Sequence, residues 1–558
     1  MNRTFITHFI RRQLSLDGLW QLTPTLQSDW QSRPVLVPGC WETLPGLENY
    51  RGTALYERRF SASGNVRICF EGVGHTASVF VDGQAAACHY NAYTPFSVLL
   101  RHLPAGDHII TVEADNRYSP DSTLHIPNDY ESYGGISRPV VLEWLPDVYL
   151  ESVHLTPSFR DDGWHLNIQA KVQNIGDGPH TVSVSSQING QCIFLGTADL
   201  EAGESAVLEA EEQIDGIEPY EPESPALYTV NTLLTCNGEE DPCDDLIERT
   251  GFREVKVKDG QILWNGKPMR IKGVNRHEAH PQFGNALPLE AMAYDLQLIQ
   301  DVGANAVRTS HYPNDQRFLD LCDEMGIFVW EESHARGLSE EQMRNPNFQP
   351  QSLDGIHEMV DAHYNHPSIF IWGILNECAS ETTFGRECYE EQFRLLRLLD
   401  NSRPVSFASC KADKDLCLDL VDVVSYNIYP KWYHDTPAGE YLDWLYQWVQ
   451  DASWGKGKPF LITEVGAGAI YGFRSPAKPK WSEERQAVIL KEQLRAILNR
   501  EGITGVFLWQ FCDIRVSEEW FRSRPRSCNN KGITDEYRRP KLAYETVREI
   551  FRTFNTWQ

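Results

Sequence analysis

From about residue 255 to the C-terminus, short apolar runs alternate with long helical patterns, and that alternation limits the fold more than any other feature of the chain. Eight runs have the length and the β-branched or aromatic content of strands: MRIKGVN, ANAVRTS, IFVWEES, IFIWGIL, PVSFASC, DVVSYNI, PFLITEV and GVFLWQF. Between them stand segments such as LEAMAYDLQLIQDVG, DQRFLDLCDEMG and RQAVILKEQLRAILNREG, which read as helices. Apolar strands joined by helices pair in parallel and are buried on both faces. Eight of them within about 300 residues predict a (β/α)8 barrel, whose chemistry lies just after the strands, at their C-terminal ends.

The first part of the chain reads differently. Between residues 14 and 147, ALYERRF, NVRICFEGV, ASVFVDG, HIITVEADN and PVVLEWL alternate apolar and polar residues and are broken by Gly, Pro, Asp and Asn. That pattern predicts an antiparallel, jelly-roll-like β-sandwich over residues 1–147. A second run of the same kind, from VYLESVHLTPSF to GFREVKV, has the size of an immunoglobulin-like β-sandwich and is assigned to 148–254. The barrel then takes 255–558, so a chain of 558 residues holds three domains.

Charge and cysteine usage exclude several classes of function. Fifty-one basic residues against 78 acidic ones leave a net charge of −27, which opposes nonspecific binding to nucleic acid or an anionic membrane. The N-terminal MNRTFITHFIRRQLSLDGLW lacks the long apolar core of a secretory signal, and no apolar run is long enough to span a bilayer, which predicts a cytoplasmic protein. Thirteen cysteines without C-x-x-C spacing suggest reduced thiols, with neither a zinc knuckle nor a disulfide framework.

The fourth strand run ends in Asn376 and Glu377, and the seventh ends in Glu464. A carboxylate directly after an apolar strand is costly to bury without a partner. Two of them across a barrel mouth suit hydrolysis of a glycosidic bond, where one gives its proton to the leaving oxygen and the other attacks the anomeric carbon; in retaining enzymes they stand ~5–5.5 Å apart. These roles require pKa values pushed apart by the surroundings. Arg308, after the second strand, can hold the nucleophile ionised through a charge-assisted hydrogen bond, and Tyr429 in SYNIYPKWY can donate another. Cys378 has no His and orienting partner nearby in sequence, so it reads as a buried or rim thiol. No Gly-rich phosphate loop supports nucleotide chemistry.

GVNRHEAHP, GANAVRTSHYP, HPSIFIWGILNE and ITEVG, in that order behind two sandwiches, resemble glycoside hydrolase family 2, the family of β-galactosidases, β-mannosidases and β-glucuronidases. The resemblance covers essentially the whole chain. It implies a retaining exo-β-glycosidase that needs no cofactor, with Glu377 as acid/base and Glu464 as nucleophile. It further implies that Asn376 binds the sugar 2-hydroxyl, that His311, Tyr429 and Trp509 line the pocket, and that the protein forms a homo-oligomer, a tetramer or dimer.

The stretch RPRSCNNKGITDEYRRPKLAYE, residues 524–545, bears on the sugar. Within it, Asn529-Asn530-Lys531-Gly532 resembles the Asn-x-Lys motif of the β-glucuronidases, which implies that Asn529 and Lys531 grip the C6 carboxylate of a uronic acid. NDYESYGGISRP resembles a loop that reaches the pocket and implies Asp129 as a binder of sugar hydroxyls; Asn427 and Tyr433 match further pocket positions, Tyr433 near the carboxylate end. Three features depart from the pattern. Pro525 stands where an Arg is usual, with Arg524 and Arg526 on either side; the loop SHARGLSEEQMRNPNFQPQSLDG is short, which suits large aglycones or glycans; and GVNRHEAHP is closer to β-galactosidase wording. The expected activity is hydrolysis of terminal β-D-glucuronides, on a small molecule or a glycan, with a β-galacturonidase or dual-specificity uronidase as the alternative. A β-galactosidase or a non-catalytic carbohydrate-binding protein follows further behind. Glu332 and His334 in EESHARG are residue types of a cation site, but their surroundings do not match the magnesium-dependent β-galactosidases, and hydrogen-bond support without a metal is expected of them.

Overall fold

The computed structural model describes residues 3–27 and 30–557. All eight predicted barrel runs form strands: β1 Ile271–Arg276, β2 Ala306–Thr309, β3 Phe328–Glu332, β4 Ile369–Ile374, β5 Val405–Phe407, β6 Val424–Asn427, β7 Phe460–Val465 and β8 Ile503–Leu508. They pair in parallel in the order β5-β4-β3-β2-β1-β8-β7-β6, and every residue in them is buried, as strands covered on both faces must be. The seam between β5 and β6 is stitched by Ser409 N–H to Ser425 O at 3.1 Å, Asn427 N–H to Ser409 O at 2.8 Å and a Ser406–Ser425 hydroxyl contact of 2.9 Å. Side chains cap the outer helices where the sequence allows: Asp315, Thr382 and Ser482 each accept a backbone N–H in the first turn of the helix that follows. At the opposite end of the barrel, Trp264 packs edge-on to Phe328 with ring centroids 4.9 Å apart, in a core that includes Trp330, Phe370 and Phe507.

Two β-sandwiches precede the barrel. The first is an eight-stranded antiparallel sheet curled over a core of Trp20, Tyr56, Ile68, Phe70, Val112 and Leu142. The second packs a three-stranded sheet against a four-stranded one; along Gly163–Asn174 the inward residues are Trp164, Leu166, Ile168, Ala170 and Val172, a strict alternation. Among the described residues no helix is long and apolar enough to cross a membrane.

The first sandwich matters for the site because its segment 124–138 lies on the C-terminal mouth of the barrel. Tyr93 stacks on Tyr312 with centroids 3.8 Å apart, Arg138 pairs with Glu278 at 2.9 Å, and the Ser517 hydroxyl donates to Asn128 O at 2.6 Å. These buried contacts hold Asp129 and Tyr130 over the barrel.

Candidate active site

Glu464 is the fifth residue of β7, and its two oxygens have separate partners. Arg308 Nη1 donates to Oε1 at 3.1 Å and the Tyr429 hydroxyl donates to Oε2 at 2.6 Å; His311 Nε2 lies 3.8 Å from Oε1. Arg308 is completely buried and divides its charge. It holds both oxygens of Glu332 at 2.9 Å, and also donates to Asn275 Oδ1 at 2.9 Å and Asn376 Oδ1 at 2.8 Å. Because Glu332 takes the bidentate share, burial together with the nearby Glu377 charge prevails, and Glu464 is pushed up to about 7 against the opposing pull of Arg308, Tyr429 and Arg336. The sequence suggests that Arg308 and Tyr429 hold this carboxyl ionised; both do donate to it, but Arg308 shares its charge with Glu332.

Glu377 is reached through a backbone that turns sharply after β4. Leu375 and Glu377 both have positive φ, 48° and 55°, a conformation that costs a non-glycine residue about 1–3 kcal/mol. A helix and the segments that follow two neighbouring strands enforce it. Tyr389 donates to Leu375 O at 2.8 Å, Gly337 N–H to Asn376 O at 2.8 Å, and Glu377 N–H to Ala408 O at 2.9 Å. The Glu377 carboxylate then accepts from Asn427 Nδ2 at 2.9 Å and lies 3.4 Å from Arg336. Asn427 also donates to Asn376 Oδ1 at 3.0 Å and accepts from Thr463 at 2.8 Å, so one amide fixes both Asn376 and Glu377. With its oxygen so engaged, Asn376 keeps its buried Nδ2 without a partner among the described residues.

His311 donates from or accepts at Nδ1 with Glu332 at 2.8 Å and stacks on Trp509 with centroids 5.0 Å apart; burial and Arg308 hold its pKa well below the usual histidine value. The ring is therefore neutral, with Nδ1–H toward Glu332 and a buried Nε2 that has no hydrogen-bond partner among the described residues and can accept a hydroxyl proton.

A cluster of cations occupies one side of the mouth. The Ile514–Arg515 and Cys528–Asn529 strands form a ribbon after β8, and Gly532 packs it down: a Cβ there would sit 2.3 Å from Asp513 N. Lys531 is 3% exposed and makes no hydrogen bond or ion pair among the described residues; its ammonium lies 5.5 and 5.3 Å from the ring centroids of Tyr429 and Tyr433. Asn529 donates to Asp129 at 3.1 Å, and its own buried Oδ1 has no partner among the described residues. Asp129 also faces Arg524 at 3.0 Å and Arg336 at 3.5 Å. Burial would raise its pKa, but Arg336, Lys531 and Arg524 outweigh burial and hold it below the usual carboxylate range. Tyr433 is 58% exposed and stands at the rim beside Tyr429.

The basic stretch 524–545 is therefore divided. Arg524 and Lys531 turn toward Asp129, whereas Arg526 pairs with Glu536, Arg538 with Asp295 at 2.8 Å and Lys541 with Asp513 at 2.7 Å. Arg336 carried no motif signal in the sequence; its only clue is a place four residues past the end of β3, on the barrel mouth. It joins Glu377, Asp129 and, at 2.9 Å, Asn128.

The residues suspected of cation binding have other partners. Glu332 is saturated by Arg308, His311 and Trp330, and His334 Nε2 is 3.2 Å from the Tyr130 hydroxyl. A buried group of Asp320, Asp323 and His366 does bring three ligand atoms close, but Arg3 holds Asp320 at 2.7 Å and His366 lies 2.6 Å from Asp323, so its charges are met from within.

A parallel barrel with two carboxyl groups across its mouth, each held by polar residues from other strands, is the framework of a glycosidase. The chain belongs to glycoside hydrolase family 2, and residues 255–556 match the model described as Glycosyl hydrolases family 2, TIM barrel domain. It is 55% identical to a family 2 β-galacturonidase from Eisenbergiella tayi, solved bound to galacturonate, with all of both chains covered and a TM-score of 0.98. A β-D-glucuronidase from Dictyoglomus thermophilum is 25% identical with a TM-score of 0.82, covering 98% of each chain. The β-glucuronidase of Sus scrofa is 28% identical over 97% of this chain and 90% of its own.

Proposed function

We propose that the protein is an exo-acting, retaining β-uronidase that releases a terminal uronic acid. The observation that carries this reading is Lys531, a buried ammonium that faces Asp129 but makes no ion pair or hydrogen bond among the described residues, set beside Asn529, Arg524 and Arg336 a short reach from Glu464 and Tyr429. A C6 carboxylate supplies the missing partner, and a neutral hexose does not.

In the proposed mechanism ionised Glu464 attacks the anomeric carbon while protonated Glu377 gives its proton to the departing oxygen. Water, deprotonated by Glu377, then releases the sugar from Glu464. Asn376 Nδ2 binds the 2-hydroxyl, His311 and Trp509 line the sugar ring, Tyr429 and Arg308 support Glu464, and Asn427 keeps Glu377 and Asn376 in place. Asp129 binds sugar hydroxyls, and Tyr433, Asn529 and Lys531 frame the carboxylate end.

Glucuronic and galacturonic acid are C4 epimers. Galacturonide is supported by the 55% identity to the Eisenbergiella tayi β-galacturonidase, and glucuronide by the similarity to β-glucuronidases over nearly the whole chain. Thirteen free cysteines support a reducing, cytoplasmic setting. Self-assembly is supported by exposed apolar residues such as the cross-strand pair Leu19 and Leu36, and light scattering in solution tests it.

Proton NMR of the first sugar released, with peptide mapping after treatment with a 2-deoxy-2-fluoro uronosyl fluoride, tests the mechanism. The β-anomer and a label on Glu464 are expected; the α-anomer, or a label elsewhere, would contradict it.

A further inference from the structure

Two of the thirteen cysteines meet. Cys236 ends the strand Tyr228–Cys236 and Cys243 immediately precedes the strand Asp244–Thr250, its antiparallel neighbour in the second sandwich. Between them Asn237 and Gly238 take positive φ values of 53° and 74°, and Glu239 N–H donates to Cys236 O at 3.0 Å, which makes a tight two-residue turn. Cys243 N–H donates to Leu234 O at 2.8 Å, so the chain returns onto the ladder directly after the loop. The register that pairs Leu234 with Asp244 sets the two cysteines on a diagonal across the strands, and their sulfurs lie 2.8 Å apart. A bonded pair needs about 2.05 Å, so the sulfurs stand less than ~1 Å from bonding distance. Both residues are partly exposed, so a small reagent can reach them.

We propose that Cys236 and Cys243 form a modification site: a dithiol that is oxidised by a low-molecular-weight disulfide such as oxidised glutathione, closing the loop 237–242. The Cys236 thiolate attacks one sulfur of the reagent and expels the first small thiolate. Cys243, giving up its proton, then attacks Cys236 in the mixed disulfide and expels the second. Two protein thiols are oxidised to one disulfide, one reagent disulfide is reduced to two thiols, and the two cysteine protons end on those thiols. The contact favours this order, because the hydrogen bond shared with Cys243 holds the Cys236 pKa below the ordinary thiol value. The hairpin supplies none of the residues at the barrel mouth, so the modification bears on the sandwich and stands apart from the proposed chemistry.

The test incubates the reduced full-length protein with excess oxidised glutathione, quenches in acid, and alkylates the unfolded chain with N-ethylmaleimide before intact-mass and peptide analysis. Wild type should lose two alkylation equivalents, mapped to Cys236 and Cys243 on a peptide lighter by two hydrogens, with no retained glutathione. Cys243→Ser should keep one glutathione on Cys236, and Cys236→Ser should form no intramolecular bond in this hairpin. Full alkylation of both cysteines in wild type, or a stable glutathione adduct on Cys236 with Cys243 still alkylated, would overturn the proposal. Turnover of the oxidised wild type should match that of Cys236→Ser treated in the same way; a reductant-reversible loss confined to the protein that forms the bond would overturn the separation from the barrel mouth.

Discussion

Replacing Tyr429 by Phe removes one hydroxyl from the best-defined interaction in the site. That hydroxyl donates to Glu464 Oε2 at 2.6 Å, the length of a charge-assisted O–H···O bond, and it favours the ionised carboxylate. A hydrogen bond to a charged group contributes about 1.5–3 kcal/mol, and each pKa unit corresponds to about 1.4 kcal/mol, so the loss should raise the Glu464 pKa by about 1–2 units. The carboxyl already stands at about 7 because burial and Glu377 outweigh its donors. Turnover requires it ionised. The acid limb of kcat/KM against pH should therefore move to more alkaline pH in Tyr429→Phe, narrowing the range in which Glu464 is ionised while Glu377 still holds its proton. A full pH profile with a p-nitrophenyl β-uronide measures this. A uniform drop at every pH, with an unmoved acid limb, would refute the coupling between Tyr429 and Glu464.

Three other outcomes follow from named contacts. Lys531→Ala should cut kcat/KM on a uronide by about 10- to 150-fold, the worth of a charge-assisted contact, and change a neutral hexoside far less; equal losses on both would count against carboxylate recognition. Arg524→Ala should weaken uronide turnover, because it strips a cation from the Asp129 cluster, whereas Arg526→Ala, which breaks a peripheral pair with Glu536, should leave turnover near wild type; steady-state kinetics of the pair decides. Glu464→Gln should abolish turnover and stabilise the fold at alkaline pH. A carboxyl raised from 4.5 to about 7 in the folded state binds its proton more tightly there, so its contribution is fully present below about 4.5 and lost as pH rises through 7. The loss amounts to about 3 kcal/mol, so the melting-temperature advantage of the Gln variant should grow between pH 5 and pH 8, and a constant difference would contradict the raised pKa.

The barrel was legible because its strands are apolar on both faces and carry their polar residues at the ends, which is where Asn376 and Glu377 stand; Glu464 is buried within β7 but one residue from its end. Local patterning of this kind survives in a single sequence. Other parts of the site depend on distance in space. Arg524 meets Asp129 across 395 residues and Arg336 meets Asn128 across 208, and no spacing rule links such positions. Whether Arg524 or Arg526 turned inward was open in the sequence, since both flank Pro525; the backbone of the 525–527 turn, with Arg526 at φ 60°, directs the second toward Glu536. Hydrogen-bond support was expected of Glu332, but not its partner: Arg308 lies on the neighbouring strand in register with Trp330, two residues before Glu332. The Cys236–Cys243 contact was hidden for a similar reason: six residues separate the two thiols in the chain, and only the hairpin register brings them together.

The most direct measurement compares hydrolysis of p-nitrophenyl β-D-galacturonide, β-D-glucuronide, β-D-galactoside and β-D-mannoside by the same purified protein. The cation cluster around Lys531 predicts that both uronides exceed both neutral sugars. A neutral glycoside turned over best would contradict carboxylate recognition and leave Lys531 and Arg524 as parts of the scaffold alone.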